Sequence, residues 1–202
     1  MTINLAAVRV VVFDLGRVLI DIQPSRCLAH WARHAHVAVA DLARAFTHDA
    51  EYERFERGEI TFADYATHLR ASLAVDLPDE VLEHGWNALL GDALPHARDA
   101  IAAATTRYPS FVFSNSNLTH EAVWRRTHAD LLTPLEQIFV SSSLGMRKPE
   151  ARAYQAVADA IGVAPGAILF FDDLIENVSA SRAAGYQAIH VRGPRDILDV
   201  FC

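Results

Sequence analysis

The sequence predicts an α/β protein: a doubly wound sheet of parallel strands, helices on both faces, and an inserted all-helical cap. Three observations carry that expectation. The run Val10-Val11-Val12-Phe13 is short, continuous, β-branched and aromatic, the composition of a strand buried on both faces in the middle of a parallel sheet. After Pro95, helical and strand-like segments alternate, which implies right-handed crossovers between parallel strands. Between these regions, residues 20–90 show apolar spacing of three and four and no sheet-forming alternation.

Taken in order, the first strand stops at Asp14, followed by Leu15 and Gly16. A carboxylate at the C-terminal end of a central parallel strand stands where open α/β sheets bind ligands. Gly16 is expected to turn the backbone tightly and leave N–H groups facing the site. Ser25 is expected to cap a helix through Cys27, Leu28, Trp31 and Ala32, and Val39 to Phe46 continues the same pattern. Phe55 to Ile60 reads as a turn. Thr61 caps a helix carrying Phe62, Tyr65, Ala66 and Leu69, and Pro78 opens another through Val81, Leu82, Trp86 and Leu89. Further on, helices His96–Thr106, Thr119–Thr127, Pro149–Ile161 and Asn177–Ala184 alternate with strands Phe111–Phe113, Gln137–Val140, Ile168–Phe171 and Gln187–Val191. Gly162 and Gly185 stand where helix C-caps belong. The resulting division is a Rossmann-like core of residues 1–19 and 91–202, with residues 20–90 as the cap.

Composition narrows the possibilities. The 202 residues suit one domain, or one core with a modest insertion, and 51% hydrophobic against 21% charged residues supports a packed interior. Eighteen basic against 25 acidic side chains give a net charge of -7, a surface that repels nucleic acid and anionic lipid. Neither nucleic acid nor membrane is therefore an expected partner. Cys27 and Cys202 make neither a disulfide framework nor a zinc site. No signal-like succession precedes the first strand, and no apolar run approaches membrane-spanning length. A cytoplasmic protein is the expectation.

The strand ends carry the chemistry. One ends in Asp14, a second in Ser114-Asn115, a third leads to Arg147-Lys148-Pro149, and a fourth ends in Asp172-Asp173. In a parallel sheet these ends share one edge, so the side chains converge. Alone, Ser114 would be a helix cap, Lys148 a surface lysine and Asp172-Asp173 a turn; together they form a parts list. Three clustered carboxylates, Asp14, Asp172 and Asp173, repel one another unless a cation sits among them. Oxygen-only ligands suit Mg²⁺, to which Gly16 can add its carbonyl. Lys148 and the metal would neutralise a phosphoryl group hydrogen-bonded by Ser114 and by the N–H groups of Leu15 and Gly16. Asp14 would attack phosphorus, forming an aspartyl phosphate that water hydrolyses. In the cap, Arg54, Glu56, Arg57, Glu59 and Trp86 are candidates for contacts to the leaving group.

The segments Phe13 to Leu19, Phe113-Ser114-Asn115-Ser116-Asn117, Gly145 to Glu150 and Phe170-Phe171-Asp172-Asp173 resemble the four motifs of the haloacid dehalogenase-like hydrolases. That resemblance spans nearly the whole chain and implies Asp14 as nucleophile, Ser114 and Asn115 near the phosphate, Lys148 as charge stabiliser, and Asp172 with Asp173 as metal acids. More narrowly, Phe55 to Ile60, His84-Gly85-Trp86, Leu144 to Glu150 and Phe201-Cys202 resemble the bacterial α-D-glucose-1-phosphate phosphatases, which implies a small phosphorylated metabolite, a sugar phosphate, as substrate. One position departs from most phosphatases of the family: Gly16 stands where they carry a second aspartate as general acid and base. The glucose-1-phosphatase group looks the same there. Two other readings stay open, a metal-independent 2-haloacid dehalogenase and a catalytically weak binding module of the same fold.

Overall fold

The computed structural model describes residues 3–201, so Cys202 lies outside the described residues. The chain runs β1 (Val10–Phe13), β2 (Ile20–Ile22), α1 (Pro24–Ala35), α2 (Val39–Ala45), α3 (Ala50–Glu56), α4 (Phe62–Leu73) and α5 (Asp79–Asn87). It continues through β3 (Leu90–Ala93), α6 (Ala97–Thr105), β4 (Ser110–Ser114), α7 (Leu118–Thr127), α8 (Ala129–Leu132), β5 (Gln137–Val140) and α9 (Ser141–Leu144). The last elements are α10 (Ala151–Ile161), β6 (Ile168–Asp172), α11 (Ile175–Ala183), β7 (Gln187–His190) and α12 (Pro194–Phe201). Five strands form one parallel sheet in the order β5-β4-β1-β6-β7.

The strand β1 is central because both its faces are apolar. Val11 and Phe13 point into a cluster with Ile101 of α6, Trp124 of α7, Leu131 of α8 and Phe201 of α12. Val10 and Val12 point the other way, onto Tyr154 and Val157 of α10 and Val178 of α11. Successive residues of a strand alternate faces, so a continuous apolar run is what a sheet covered on both sides requires. All four residues are buried, each contributing about 1.5–3 kcal/mol of transfer free energy. Gly162 (φ 79°) closes α10 and Gly185 (φ 94°) follows α11, as their positions suggested.

Helices α1 to α5 have an apolar cluster of their own, built on Trp31, Leu42, Phe55, Tyr65, Leu69 and Trp86. Thr61 forms a reciprocal cap with Asp64, each side chain accepting the other's N–H at 3.2 and 3.0 Å. The expectation of an insertion without strands needs correction. Ile20–Ile22 and Leu90–Ala93 pair antiparallel as a ribbon carrying the chain into and out of the helical segment. Each strand alone is too short to be legible, and pairing satisfies its backbone. Ser25 does not cap α1; the helix starts two residues earlier, at Pro24, where a missing N–H costs nothing. Gly16 keeps a negative φ, and the left-handed turn after β1 falls on Arg17 (φ 59°). Helices α3, α8, α9 and α12 add to the expected set. Among the described residues, no helix is long and apolar enough to cross a membrane.

Candidate active site

Because β4 and β6 flank β1 directly, Ser114, Asp14 and Asp172 stand side by side at the C-terminal edge of the sheet. Lys148 reaches them from the segment between α9 and α10 and is 1% exposed. Its ammonium donates to Asp14 Oδ1 at 2.6 Å and to Asp172 Oδ2 at 2.7 Å. The Phe113 and Phe170 rings lie 5.3 and 5.4 Å from it, so the charge sits over two aromatic faces. Asn115 holds the Lys148 backbone at both ends, accepting from its N–H and donating to its carbonyl at 2.8 Å each. Asn177, in the first turn of α11, donates to both Asp172 oxygens at 3.0 and 3.1 Å, and Leu174 N–H adds a third bond at 2.8 Å.

One carboxylate oxygen from each of Asp14, Asp172 and Asp173 lies within 4.8 Å of the others. Burial lifts Asp14 to about 7, with Lys148 opposing the shift and Asp172 and Asp173 reinforcing it. Burial disfavours the Lys148 charge, yet Asp14 and Asp172 outweigh it and hold the lysine above its ordinary value. Burial and Asp172 together raise Asp173. Three ionised carboxylates against one ammonium leave an excess of two negative charges, which a divalent cation matches. The donors are all oxygens, the set that hard cations such as Mg²⁺ prefer. Gly16 O accepts no backbone hydrogen bond among the described residues, so it is free to join them. The residues present fit the metal.

Asp14, Leu15, Gly16, Ser114, Asn115, Lys148 and Asp173 line one cavity of about 290 Å³, with Asp172 fully buried beneath them. Leu15 and Gly16 N–H make no backbone hydrogen bond among the described residues, and Ser114 Oγ has only a long 3.5 Å contact to Asn115 O. These donors remain open to an anion. The cap supplies the opposite wall. Of its five candidates, Glu56 and Trp86 reach the cavity. Arg54 pairs with Glu51 and Glu59, and Arg57 with Glu59 and Glu150, away from it.

Several residues of the site carried no expected role. Arg147 binds Glu56 Oε2 at 2.7 Å and Glu53 at 3.1 Å, and Tyr52 donates to Glu56 Oε1 at 3.0 Å. Ser141 Oγ lies 2.7 Å from Glu56 O and accepts from Ser116 N–H at 2.9 Å, joining cap to core. Gly58 allows the close approach there, since an added Cβ would collide with the Ser142 carbonyl. His120 on α7 bonds Trp86 O at 3.0 Å and stacks on the Trp86 ring. The signals were weak but present: Tyr52 and Glu56 are four apart on one helix, and Arg147 precedes Lys148.

A parallel sheet that gathers an acidic cluster and a buried lysine at its strand ends, beneath a helical cap, defines a capped α/β enzyme. The chain belongs to the haloacid dehalogenase-like hydrolase family, whose sequence profile matches residues 8–185. It is similar to a phosphatase of Mycobacterium tuberculosis, 37% identical over 111 residues, 54% of this chain and 51% of that one. An enolase-phosphatase of Pseudomonas fluorescens is 30% identical over 133 residues, 64% of this chain and 58% of that one. The chain thus spans about half the length of these relatives. Among solved structures, a family enzyme of Bacteroides thetaiotaomicron in complex with magnesium and inorganic phosphate has a TM-score of 0.77 at 22% identity, covering 91% of this chain and 93% of that one. The L-2-haloacid dehalogenase of Xanthobacter autotrophicus has a TM-score of 0.68 at 17% identity, covering 91% and 77%. At these identities the structural likeness is one of fold.

Proposed function

We propose that the protein is a Mg²⁺-dependent phosphatase acting on a small phosphorylated metabolite in the cytoplasm, with Asp14 as the nucleophile. The observation that carries this reading is Lys148, buried between Asp14 and Asp172 within an oxygen-only acidic cluster. Asp14, Asp172, Asp173 and the Gly16 carbonyl would hold the metal. When bound, Mg²⁺ supplies the charge that keeps Asp14 ionised and offsets the phosphate dianion.

The phosphoryl oxygens are received by Ser114 Oγ and by the N–H groups of Leu15 and Gly16, with Lys148 neutralising charge from the side. Asp14 Oδ2, which has no side-chain hydrogen bond among the described residues, is the oxygen free to attack. The new bond joins that oxygen to phosphorus, and the bond to the leaving oxygen breaks with its electron pair. The departing oxygen takes a proton from water. A second water then attacks phosphorus as the bond from phosphorus to the Asp14 oxygen breaks; that water's proton neutralises the hydroxide left by the first step, releasing inorganic phosphate and restoring the Asp14 carboxylate. Residues 20–90 serve as a lid that keeps bulk water away during transfer. The paired Asp172 and Asp173 favour this reading over the metal-independent dehalogenase, which has no use for them.

The sequence resemblance makes α-D-glucose 1-phosphate the first sugar phosphate to assay. The decisive experiment is phosphate release from a panel of phosphomonoesters with and without Mg²⁺. Asp14→Asn is expected to fold normally, with turnover lowered at least a thousandfold, because an amide cannot attack phosphorus. Equal rates in the folded variant and the parent would refute the assignment.

A further inference from the structure

The part of the cavity facing the cap is built almost wholly from apolar side chains. Ile22, Leu28, Trp31, Phe46, Trp86 and Leu89 form its wall, and the whole cavity, phosphate end included, measures about 290 Å³, room for a small organic group beside a phosphoryl group. Most of the polar groups nearby are already engaged. Tyr52 Oη is committed to Glu56 Oε1, and Glu56 Oε2 to Arg147 Nε. His120 uses one ring nitrogen on Trp86 O and the other on Asn117 Nδ2. On the cap wall this leaves the buried Trp86 Nε1 donor, which has no partner among the described residues, and His48, whose ring lies flat on Tyr52 with centroids 4.2 Å apart. A sugar carries several hydroxyls, and each one buried against this wall without a partner weakens binding.

From this lining we infer that the phosphate ester has an apolar, aromatic or otherwise flat leaving group, and that sugar phosphates rank behind it as substrates. The inference rests on the phosphatase reading above and names its substrate class. The geometry divides the labour: charged and polar groups at the strand ends hold the phosphoryl group, and the cap binds the remainder by burial. A flat ring gains further from the stacked rings of Trp31, Trp86 and His120, which lie nearly parallel at 4° and 8° between neighbours.

The test is a homologous series: phenyl, 4-methylphenyl, 4-ethylphenyl and 4-propylphenyl phosphate, with α-D-glucose 1-phosphate for comparison. Leaving-group acidity is nearly constant along the aryl series, so kcat/KM reports burial. Each added methylene is expected to raise it about fourfold until the cavity is full. Leu28→Gln should flatten that rise while the phenyl ester changes least. A flat or falling series, or glucose 1-phosphate outpacing the propyl ester, overturns the inference. Binding of 4-propylphenylphosphonate, read by tryptophan fluorescence, separates the two ideas. Binding that strengthens with chain length but no turnover of any ester would sink the phosphatase reading and keep the apolar site. Turnover of esters with no gain in binding or rate from the alkyl chain would do the reverse.

Discussion

Replacing Lys148 with methionine tests the electrostatics of the site independently of any substrate. The ammonium is buried, 2.6 Å from Asp14 and 2.7 Å from Asp172, and methionine fills a similar volume without charge. Removing one partner of a buried ion pair leaves uncompensated charge and costs about 3–5 kcal/mol. In a chain of this size each kcal/mol is worth roughly 2–4 °C in Tm, so the metal-free variant should melt about 6–20 °C below the parent. The loss should also depend on pH. Asp14, already lifted to about 7 by burial against the pull of Lys148, rises further when the ammonium is gone. Between the unfolded value and the folded one, the folded state then holds a proton that the unfolded chain has released. Stability therefore falls as pH rises through that window, and the deficit of Lys148→Met should be larger at pH 8 than at pH 5. Saturating Mg²⁺ should recover part of it by replacing the missing positive charge. Thermal unfolding of parent and variant at both pH values, with chelator or with Mg²⁺, measures each quantity. An unchanged Tm in chelator, or a deficit that grows toward acid, would refute the account of the cluster.

Three further outcomes are expected. Mg²⁺ at a hundred times its Kd should stabilise the parent by about 2.7 kcal/mol, or roughly 5–10 °C, and this shift should vanish in a variant with Asp172 and Asp173 both changed to asparagine; calorimetry decides it. Burial pulls His120 down to about 4, so between pH 6.5 and 4 the unfolded chain takes up a proton that the folded chain refuses, and stability falls with pH there. That single group accounts for about 2 kcal/mol between pH 7 and 5, a slope that urea titrations of His120→Gln should show removed. Finally, without an acid at position 16, rates on aryl phosphates should rise steeply with leaving-group acidity, and Gly16→Asp should flatten the dependence by restoring a group worth about 10²–10⁴-fold. The substitution is tight, since its Cβ would lie 3.1 Å from the Ile22 side chain, which must shift to admit it, although the backbone is not left-handed; a flat series in the parent would place the proton donor elsewhere.

The five parallel strands were legible because burial on both faces forces continuous apolar runs, and Val10 to Phe13 or Ile168 to Phe171 admit few other readings. The convergence of Asp14, Ser114, Lys148 and Asp172 followed from topology, since residues at parallel strand ends must share an edge. What pairing and packing decide was not legible. The ribbon strand Ile20-Asp21-Ile22 has too few residues to show a period, and its partner Leu90-Gly91-Asp92-Ala93 has poor strand composition. Helix α3 was hidden because its charged residues read as a turn leading to Gly58. The facing of α3 was equally invisible: Tyr52 and Glu56 point inward, whereas Arg54 and Arg57 satisfy surface carboxylates. Asn115 shows the limit most plainly, because its side chain, expected at the phosphate, is spent on the Lys148 backbone.

The ribbon has an architectural corollary. Ile20 pairs with Ala93, and Leu94 N–H reaches Leu19 O at 2.9 Å, so the chain leaves the sheet and returns to it at neighbouring points. Whatever is spliced between those points leaves the wiring of the five-stranded sheet unaltered. A different helical module could be exchanged there, or a tight hairpin substituted, without re-threading a single core crossover. The groups gathered at the strand ends and the wall that faces them are thereby free to change independently, one held by the sheet and the other by a replaceable insert.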